Sequence, residues 1–302
     1  MDTGQYFESQ QCNVCRSAER KLLHKDLIHT CNVLAKAGIP VKNADMPSDI
    51  YECKVCGHTY LSPIVKGEKL DYYYNVVETE YFDNQREKPS DHRPADTQKF
   101  ADLIRANSNG KRVLEIGSGL GYLLKNLADS GLECYGVEPS GFASRFSREE
   151  LKLNVISGML TPETFAGQHF DTIILSDVIE HIPNVHPLFE TIRGYLSEYG
   201  KVFILTGNSN SMYAKLTGKR WLYYYSWEHI SFYNRNSIKA LLNQYGMDMT
   251  LFKKVSHTGG FGHNAKTVFR TVVQMGLQMF GLRKYDFYAM AFDHFIAAGQ
   301  KR

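Results

Sequence analysis

Four groups of residues in this 302-residue chain are spaced as reactive or ligand-holding sets. Gly117, Gly119 and Gly121 end an apolar run in the segment VLEIGSGLGY, with Glu115 inside that run. A second acid, Glu138, closes the next apolar run, about 20 residues on. Cys12/Cys15 and Cys53/Cys56 are two CxxC pairs. Asp177, Glu180 and His181 share the segment SDVIEHIPN, and Glu228 and His229 open the aromatic stretch EHISFY.

The glycine turn lets backbone N–H groups meet a ligand's polar atoms at close range, because no Cβ stands in the way. A dinucleotide fingerprint would need a third glycine where Tyr122 stands. The carboxylate of Glu115 suits a ligand carrying an ammonium and a sulfonium better than a pyrophosphate. An acid at Glu138 can accept hydrogen bonds from both ribose hydroxyls of a nucleoside. Strand, glycine turn, helix, strand and acid in register form a nucleoside site.

Two CxxC knuckles supply four soft ligands, the set Zn²⁺ takes in a closed tetrahedron. Cys12, Cys15, Cys53 and Cys56 are therefore expected to hold a structural zinc ion. His24, His29 and Cys31 lie between the pairs and could substitute as ligands, although a complete second CxxC makes that unnecessary. Redox thiols are disfavoured, since neither CxxC opens a βαβ unit. Cys31 and Cys134 are unpaired by pattern and read as buried small hydrophobes.

The elements that must position these groups follow from the apolar pattern. From Lys111 onward, apolar runs alternate with amphipathic stretches, as in βα units around a parallel sheet. Strands are expected at Arg112–Ile116, Glu133–Glu138, Asn154–Ile156, Phe170–Ser176 and Lys201–Thr206. Late strands are expected at Met247–Val255 and Phe292–Ala298, and helices at Tyr122–Ser130 and Ser237–Tyr245. The chain divides into a zinc-binding module (1–66), a polar and helical connector (67–109) and a ligand-binding domain (110–302). No internal repeat stands out.

A net charge of +3 is too small to argue for nucleic acid. The polar, acidic start MDTGQYFESQ is unlike a signal peptide, and no window approaches 18 apolar residues. A cytoplasmic chain with no membrane span is expected. The clusters Tyr72–Tyr74 and Tyr223–Tyr225 could line a pocket for a polar acceptor or serve as ordinary core residues.

The segments VLEIGSGLGYL, YGVEPS, FDTIILSDVIEHIPN and GKVFILTGN resemble motifs I to III of class I S-adenosylmethionine-dependent methyltransferases, over roughly Arg112 to Lys301. The resemblance implies an α/β, Rossmann-like sheet of seven strands, the last inserted antiparallel, behind a small N-terminal zinc-binding domain. It implies that Glu115, Gly117 and Gly119 cradle the methionine part of S-adenosylmethionine and that Glu138 holds its ribose. Gly158 and Met159 would flank the adenine, and Ser176 and Asp177 would close the site. The N-terminal cysteines, HTYLSPIV and DYYYN together resemble zinc-bearing sugar and secondary-metabolite methyltransferases. Deoxysugar C-methyltransferases, which carry E-H-x-S-[FY]-[FY], are the nearest group, but their large C-terminal domain has no counterpart here. The resemblance therefore points to a small-molecule acceptor, nucleotide-linked sugars among them.

Methyl transfer to a hydroxyl or acidic carbon benefits from a base near the acceptor. His229 is the first candidate, with Glu228 orienting it or acting in its place; otherwise His229 caps a helix starting near Asn236. His181 is the second. The segment holding Asp177, Glu180 and His181 resembles the E-x-x-E-H segment of quinone O-methyltransferases, whose residues can hold a divalent cation; a solely organic site is the favoured alternative. His257 and His263 flank a glycine-rich loop and read as solvated. Lys266–Lys284 is apolar along one face and reads as a helix covering the site or forming a homodimer face, ahead of a membrane-surface contact. Two other functions fit less well: an RNA methyltransferase gripping substrate through the zinc module, and a non-catalytic zinc adaptor that binds a nucleoside.

Overall fold

The structure is a computed structural model that describes residues 7–28, 47–66, 82, 94–225, 228–255 and 293–302. At the N-terminal end, β1 (Phe7–Glu8), β2 (Arg20–Ile28), β3 (Pro47–Cys53), β4 (Thr59–Ser62) and β5 (Ile64–Val65) precede α1 (Pro94–Asn107). The larger part alternates β6 (Arg112–Ile116), α2 (Tyr122–Asp129), β7 (Glu133–Glu138), α3 (Gly141–Glu149), β8 (Asn154–Ser157) and β9 (Phe170–Ser176). It continues through α4 (Val185–Tyr195), β10 (Leu196–Gly207), α5 (Met212–Thr217), β11 (Ser231–Phe232), α6 (Arg235–Gln244), β12 (Met247–Val255) and β13 (His294–Lys301).

Seven strands form one sheet in the order β12-β13-β10-β9-β6-β7-β8. β8, β7, β6, β9 and β10 run parallel, and the chain's last strand, β13, lies antiparallel between β10 and β12. This is the expected Rossmann-like methyltransferase sheet.

Alternation along the central strands sorts their side chains onto two faces, because successive residues of a strand point oppositely. Leu114, Ile116, Ile173 and Leu175 pack with Phe189 and Ile192 of α4 and Ile238 and Leu241 of α6. Val113 and Ile174 pack on the other face with Phe100 and Ile104 of α1 and Leu123 and Leu127 of α2. All these side chains are buried. Each such aliphatic side chain contributes about 1.5–3 kcal/mol of hydrophobic stabilisation. The helices begin where polar side chains satisfy free N–H groups: Ser140 caps α3, Asn184 caps α4, and Asn234 caps α6 with a reciprocal bond from Ser237.

A second sheet has the order β11-β4-β3-β2. Its edge strand β11 lies in sequence between β10 and β12 of the large sheet and pairs antiparallel with β4, Ser231 opposite Tyr60 and Phe232 opposite Thr59. Trp221, Tyr224, Ile230 and Phe232 pack with Ile50 and Leu61 beneath it. Cys12, Val14, Cys53 and Tyr60 belong to the same apolar cluster as Leu114 and Ile173. The N-terminal strands are thus continuous with the main core.

Several expected boundaries move. The last strand, His294–Lys301, continues three residues past the expected end at Ala298, because its register follows β10, with His294 opposite Gly207 and Gln300 opposite Lys201; the expected start at Phe292 lies outside the described residues. The second expected helix starts at Arg235, ahead of Ser237, since Asn234 supplies the cap. Part of the polar connector is helix, Pro94–Asn107. Tyr72–Tyr74, His29, Cys31, His257, His263 and Lys266–Lys284 lie outside the described residues. Among the described residues no helix is long and apolar enough to cross a membrane.

Candidate functional site

The parallel strands end on one side of the sheet, and in open α/β sheets ligands bind where strand order reverses at those ends. The turn after β6 adopts left-handed backbone at Gly117 (φ 68°), Gly119 (φ 53°) and Gly121 (φ 82°). A Cβ on Gly117 would stand 2.6 Å from Cγ2 of Val178, and one on Gly121 2.8 Å from Cδ1 of Leu153. Both conformation and space therefore favour glycine at these two positions.

Glu138 ends β7 with its carboxylate turned onto that glycine loop. Oε2 accepts from the Gly119 N–H at 2.7 Å and Oε1 from the Ser140 N–H at 2.8 Å. Burial raises its pKa, opposed by those two amides. Each oxygen keeps a second acceptor site for a ligand hydroxyl. Glu115 is 3% exposed, on the face of β6 where α2 begins. Burial, then the charge of Glu138, push its carboxyl up to about 8. Its Oε2 has no hydrogen-bond partner. An incoming cation would relieve both acids. Gly158 (φ 132°) follows β8, and Met159 beside it is 54% exposed.

Ser176 ends β9, and Asp177 takes left-handed backbone (φ 52°) as its N–H bonds the Leu205 carbonyl at 3.0 Å. This turns the chain sharply into a 3₁₀ turn, Ile179–His181. The Ile230 N–H donates to the Glu180 carbonyl at 3.0 Å, which brings the 228–231 segment alongside. As a result the rings of His181 and His229 meet edge to face, 4.9 Å between centroids.

His229 also stacks on Tyr223 at 3.9 Å, and its Nδ1 lies 3.0 Å from the Tyr223 carbonyl oxygen. A carbonyl only accepts, so Nδ1 carries the hydrogen and Nε2 keeps its lone pair. Burial first, then the neighbouring His181, hold this imidazole well below its ordinary pKa. The ring is oriented through Nδ1 by Tyr223. The cap of α6 is Asn234, so His229 does not cap that helix.

Tyr223 was legible only as one of a tyrosine cluster. Its hydroxyl donates to Glu180 Oε1 and accepts from the Gly207 N–H at 3.1 Å. Glu180 is fully buried; desolvation and then Asp177 raise its pKa. His294, at the start of β13, was not anticipated. Its Nδ1 is 2.9 Å from Asp293 Oδ1 and its Nε2 3.8 Å from Asp177 Oδ1. Burial alone would lower its pKa, but Asp293, Asp177 and Glu180 together hold it above the ordinary value. The adjacent acid–histidine pair before a late strand was the available signal. Glu180, His181 and His229 bring one ligand atom each within 4.8 Å of one another, a different trio from the Asp177, Glu180 and His181 of the sequence segment.

The four cysteines converge, with their sulfurs within 4.8 Å of one another. Cys12 Sγ lies 3.5 Å from Cys56 Sγ, and Cys15 Sγ 3.4 Å from Cys53 Sγ. Four thiols this close, with Cys12 and Cys53 each 1% exposed, fit a closed tetrahedral Zn²⁺ with ligands at about 2.3 Å. His24 instead packs on Tyr224, 5.8 Å between ring centroids. Cys134 is partly buried, and burial pushes its thiol up to about 12, which disfavours the thiolate.

A family described as a methyltransferase domain matches residues 83–251. Ubiquinone biosynthesis O-methyltransferase of Glaesserella parasuis serovar 5 (strain SH0165) is 34% identical over 109 residues, 33% of this chain and 46% of that protein. The protein of the same description from Agrobacterium fabrum (strain C58 / ATCC 33970) is 32% identical over 158 residues, 49% of this chain and 57% of that protein. The chain spans about half the length of the curated relatives it matches. Magnesium protoporphyrin IX methyltransferase from Synechocystis PCC 6803, solved with bound SAH, shares the fold, with a TM-score of 0.54 at 12% identity over 78% of this chain and 100% of that one. A possible histamine N-methyltransferase from Thermotoga maritima gives a TM-score of 0.52 at 14% identity over 75% and 99%.

Proposed function

Because this chain belongs to the methyltransferase-domain family, we propose that it transfers the methyl group of S-adenosylmethionine to a hydroxyl or carbon of a small polar acceptor, a sugar or nucleotide-sugar by preference. The observation that carries this reading is the carboxylate of Glu138, pinned by the Gly119 and Ser140 amides across a turn whose three glycines take left-handed backbone. When bound, S-adenosylmethionine supplies a methyl on a cationic sulfonium that an oxygen or carbon nucleophile displaces.

The chain's own residues then divide the work. Glu138 accepts the ribose hydroxyls, and the backbone at Gly117 and Gly119 admits the methionine part, with the buried Glu115 carboxyl nearby, whose ionisation a bound cation would favour. Gly158 and Met159 border the adenine; Ser176 and Asp177 close the far wall. His229, neutral and with Nε2 as its free lone pair, takes the acceptor's proton. Glu228 and His181 complete the acceptor side, and the four cysteines hold a structural zinc ion that shapes it. Residues 1–66 serve as the metal module, 67–109 as connector and 110–302 as the methyl-transfer domain, with β11 of the last completing the sheet of the first.

Transfer of labelled methyl from S-adenosylmethionine to a panel of nucleotide-sugars and catechols tests the proposal. Labelled nucleotide-sugar is expected. Labelled catechol alone would overturn the acceptor class, and NAD binding without S-adenosylmethionine binding would overturn the whole reading.

Glu138→Ala should weaken S-adenosylmethionine and SAH alike, since each charge-assisted hydrogen bond lost costs about 1.5–3 kcal/mol. Calorimetry should show a Kd raised by roughly 10- to 100-fold per bond. Unchanged Kd in the folded variant would remove Glu138 from the ribose site.

A further inference from the structure

One side chain inside the first cysteine knuckle reaches both halves of the acceptor side. Asn13, between Cys12 and Cys15, is 5% exposed. Its Nδ2 donates to the Ile182 carbonyl at 2.8 Å and to Ser231 Oγ at 3.1 Å. Its Oδ1 accepts from the Val185 N–H at 3.1 Å. Ile182 directly follows His181, and Ser231 stands two residues after His229. Val185 opens α4, whose first-turn N–H groups have no intrahelical acceptor. Asn184 caps only the next one, His186.

We infer that Asn13 is a positioning residue that sets His181 and His229 relative to each other, so that the metal knuckle acts as a buttress of the acceptor site. This rests on the acceptor-site reading proposed above.

The physical case is one of register. The two histidine segments are far apart in sequence, and a backbone bond, Ile230 N–H to the Glu180 carbonyl, joins them. Tyr223 joins them again, with its hydroxyl on Glu180 and its carbonyl at His229 Nδ1. Asn13 adds a further, separate link through Ile182 and Ser231, which restrains their register from outside that set. The near-isosteric replacements do not supply the same set: aspartate lacks both donors, and serine is too short to span three partners. Its carbonyl and N–H partners also fix which way the amide faces.

The knuckle holds Asn13 in turn, through the Arg16 N–H to the Cys12 carbonyl at 2.9 Å and the Cys15 N–H to Cys12 Sγ at 3.5 Å. The other knuckle is tied to the same region, with Asn234 Nδ2 donating to the Gly57 carbonyl at 2.9 Å. Gln10 Nε2 donates to the Ile230 carbonyl at 3.3 Å. The metal module therefore grips the segment that carries His229 at several points, and Asn13 is the point that also grips the His181 turn.

The test uses zinc-loaded full-length Asn13→Ala, with Asn13→Ser as the milder variant that keeps one donor and one acceptor. Ring ¹H–¹⁵N resonances of the histidines are compared with wild type, alongside zinc content and SAH calorimetry. The resonances of His181 and His229 should move, while His169, just before β9 at the opposite end of the sheet, stays put. Zinc content and SAH affinity should hold. With an acceptor from the panel, kcat should fall by about 10- to 100-fold, the cost of a small misplacement. Unmoved His181 and His229 signals in either folded variant would overturn the inference. So would collapse of folding, zinc and SAH binding together in both variants, which would make Asn13 a residue of the fold alone. Moved rings with unchanged kcat would leave the positioning intact and overturn the role given to His229.

Discussion

His229→Ala should lower methyl transfer by roughly 10²–10⁴-fold while leaving SAH affinity near wild type. The magnitude is that of removing a positioned general base. The selectivity follows from geometry: the proposed cofactor side is the glycine turn with Glu138, whereas His229 faces His181 and Tyr223. The pH profile carries a second signature. Burial and the adjacent His181 keep the His229 imidazole well below its ordinary pKa, so it stays neutral, and able to accept a proton, throughout the physiological range. The wild-type rate should be flat as pH drops to about 6.5 and fall only below it, as the ring protonates. A rate that already falls above that pH would identify His294 instead, whose carboxylate neighbours hold it above the ordinary value. Loss of SAH binding in His229→Ala would make the residue structural. Full activity would move the base to His181.

Cys53→Ser should release the zinc ion and destabilise the whole chain. Structural zinc sites contribute apparent binding free energies of about 10–16 kcal/mol near neutral pH, and serine is a poor substitute for a thiolate ligand. Cys53 is 1% exposed and packs in the cluster that includes Leu114 and Ile173 of the main sheet. The damage should therefore not be confined to the N-terminal strands. Metal analysis of the purified protein should fall from about one zinc per chain toward none. Thermal unfolding should remain one transition, lower by at least roughly 10 °C. Retained zinc with an unchanged Tm would refute the tetrathiolate site. A separate low-temperature transition would show that the module melts alone. Acidification should release the metal from wild type too, since bound thiolates must take up protons.

The two sites differed in how much of them the sequence disclosed. β6, β7, β9 and β12 lie where their apolar runs place them, and the glycine turn and Glu138 meet as their spacing required. The four cysteines also converge, since each pair is local and only the approach of the two pairs is not. By contrast, α3 and α4 escaped notice. Their caps, Ser140 and Asn184, are single polar residues; the apolar positions of α3 are sparse among Ser and Arg, and α4 carries a proline and a glycine within its apolar pattern. β11 is two residues long and exists because β4 is there to pair with it.

The proposed catalytic side was legible as residue types and not as an arrangement. His181 and His229 could each be named from a short motif, yet nothing local says that their rings touch. Nor does anything local say that the Tyr223 carbonyl fixes the tautomer of His229, or that Glu180 is buried against the Tyr223 hydroxyl. His294 and Asn13 looked like a strand residue and a knuckle spacer. By itself the sequence determined the sheet, the glycine turn and the pairing of the four cysteines, because period-two burial, left-handed glycines and paired thiols are short-range demands that a few neighbouring residues satisfy. Tertiary structure alone decided how the acceptor side is assembled. Its bonds, from Asn13 to Ile182 and Ser231 and from Ile230 to Glu180, join segments distant in the chain, and such pairings form only once packing of the core has brought those segments together.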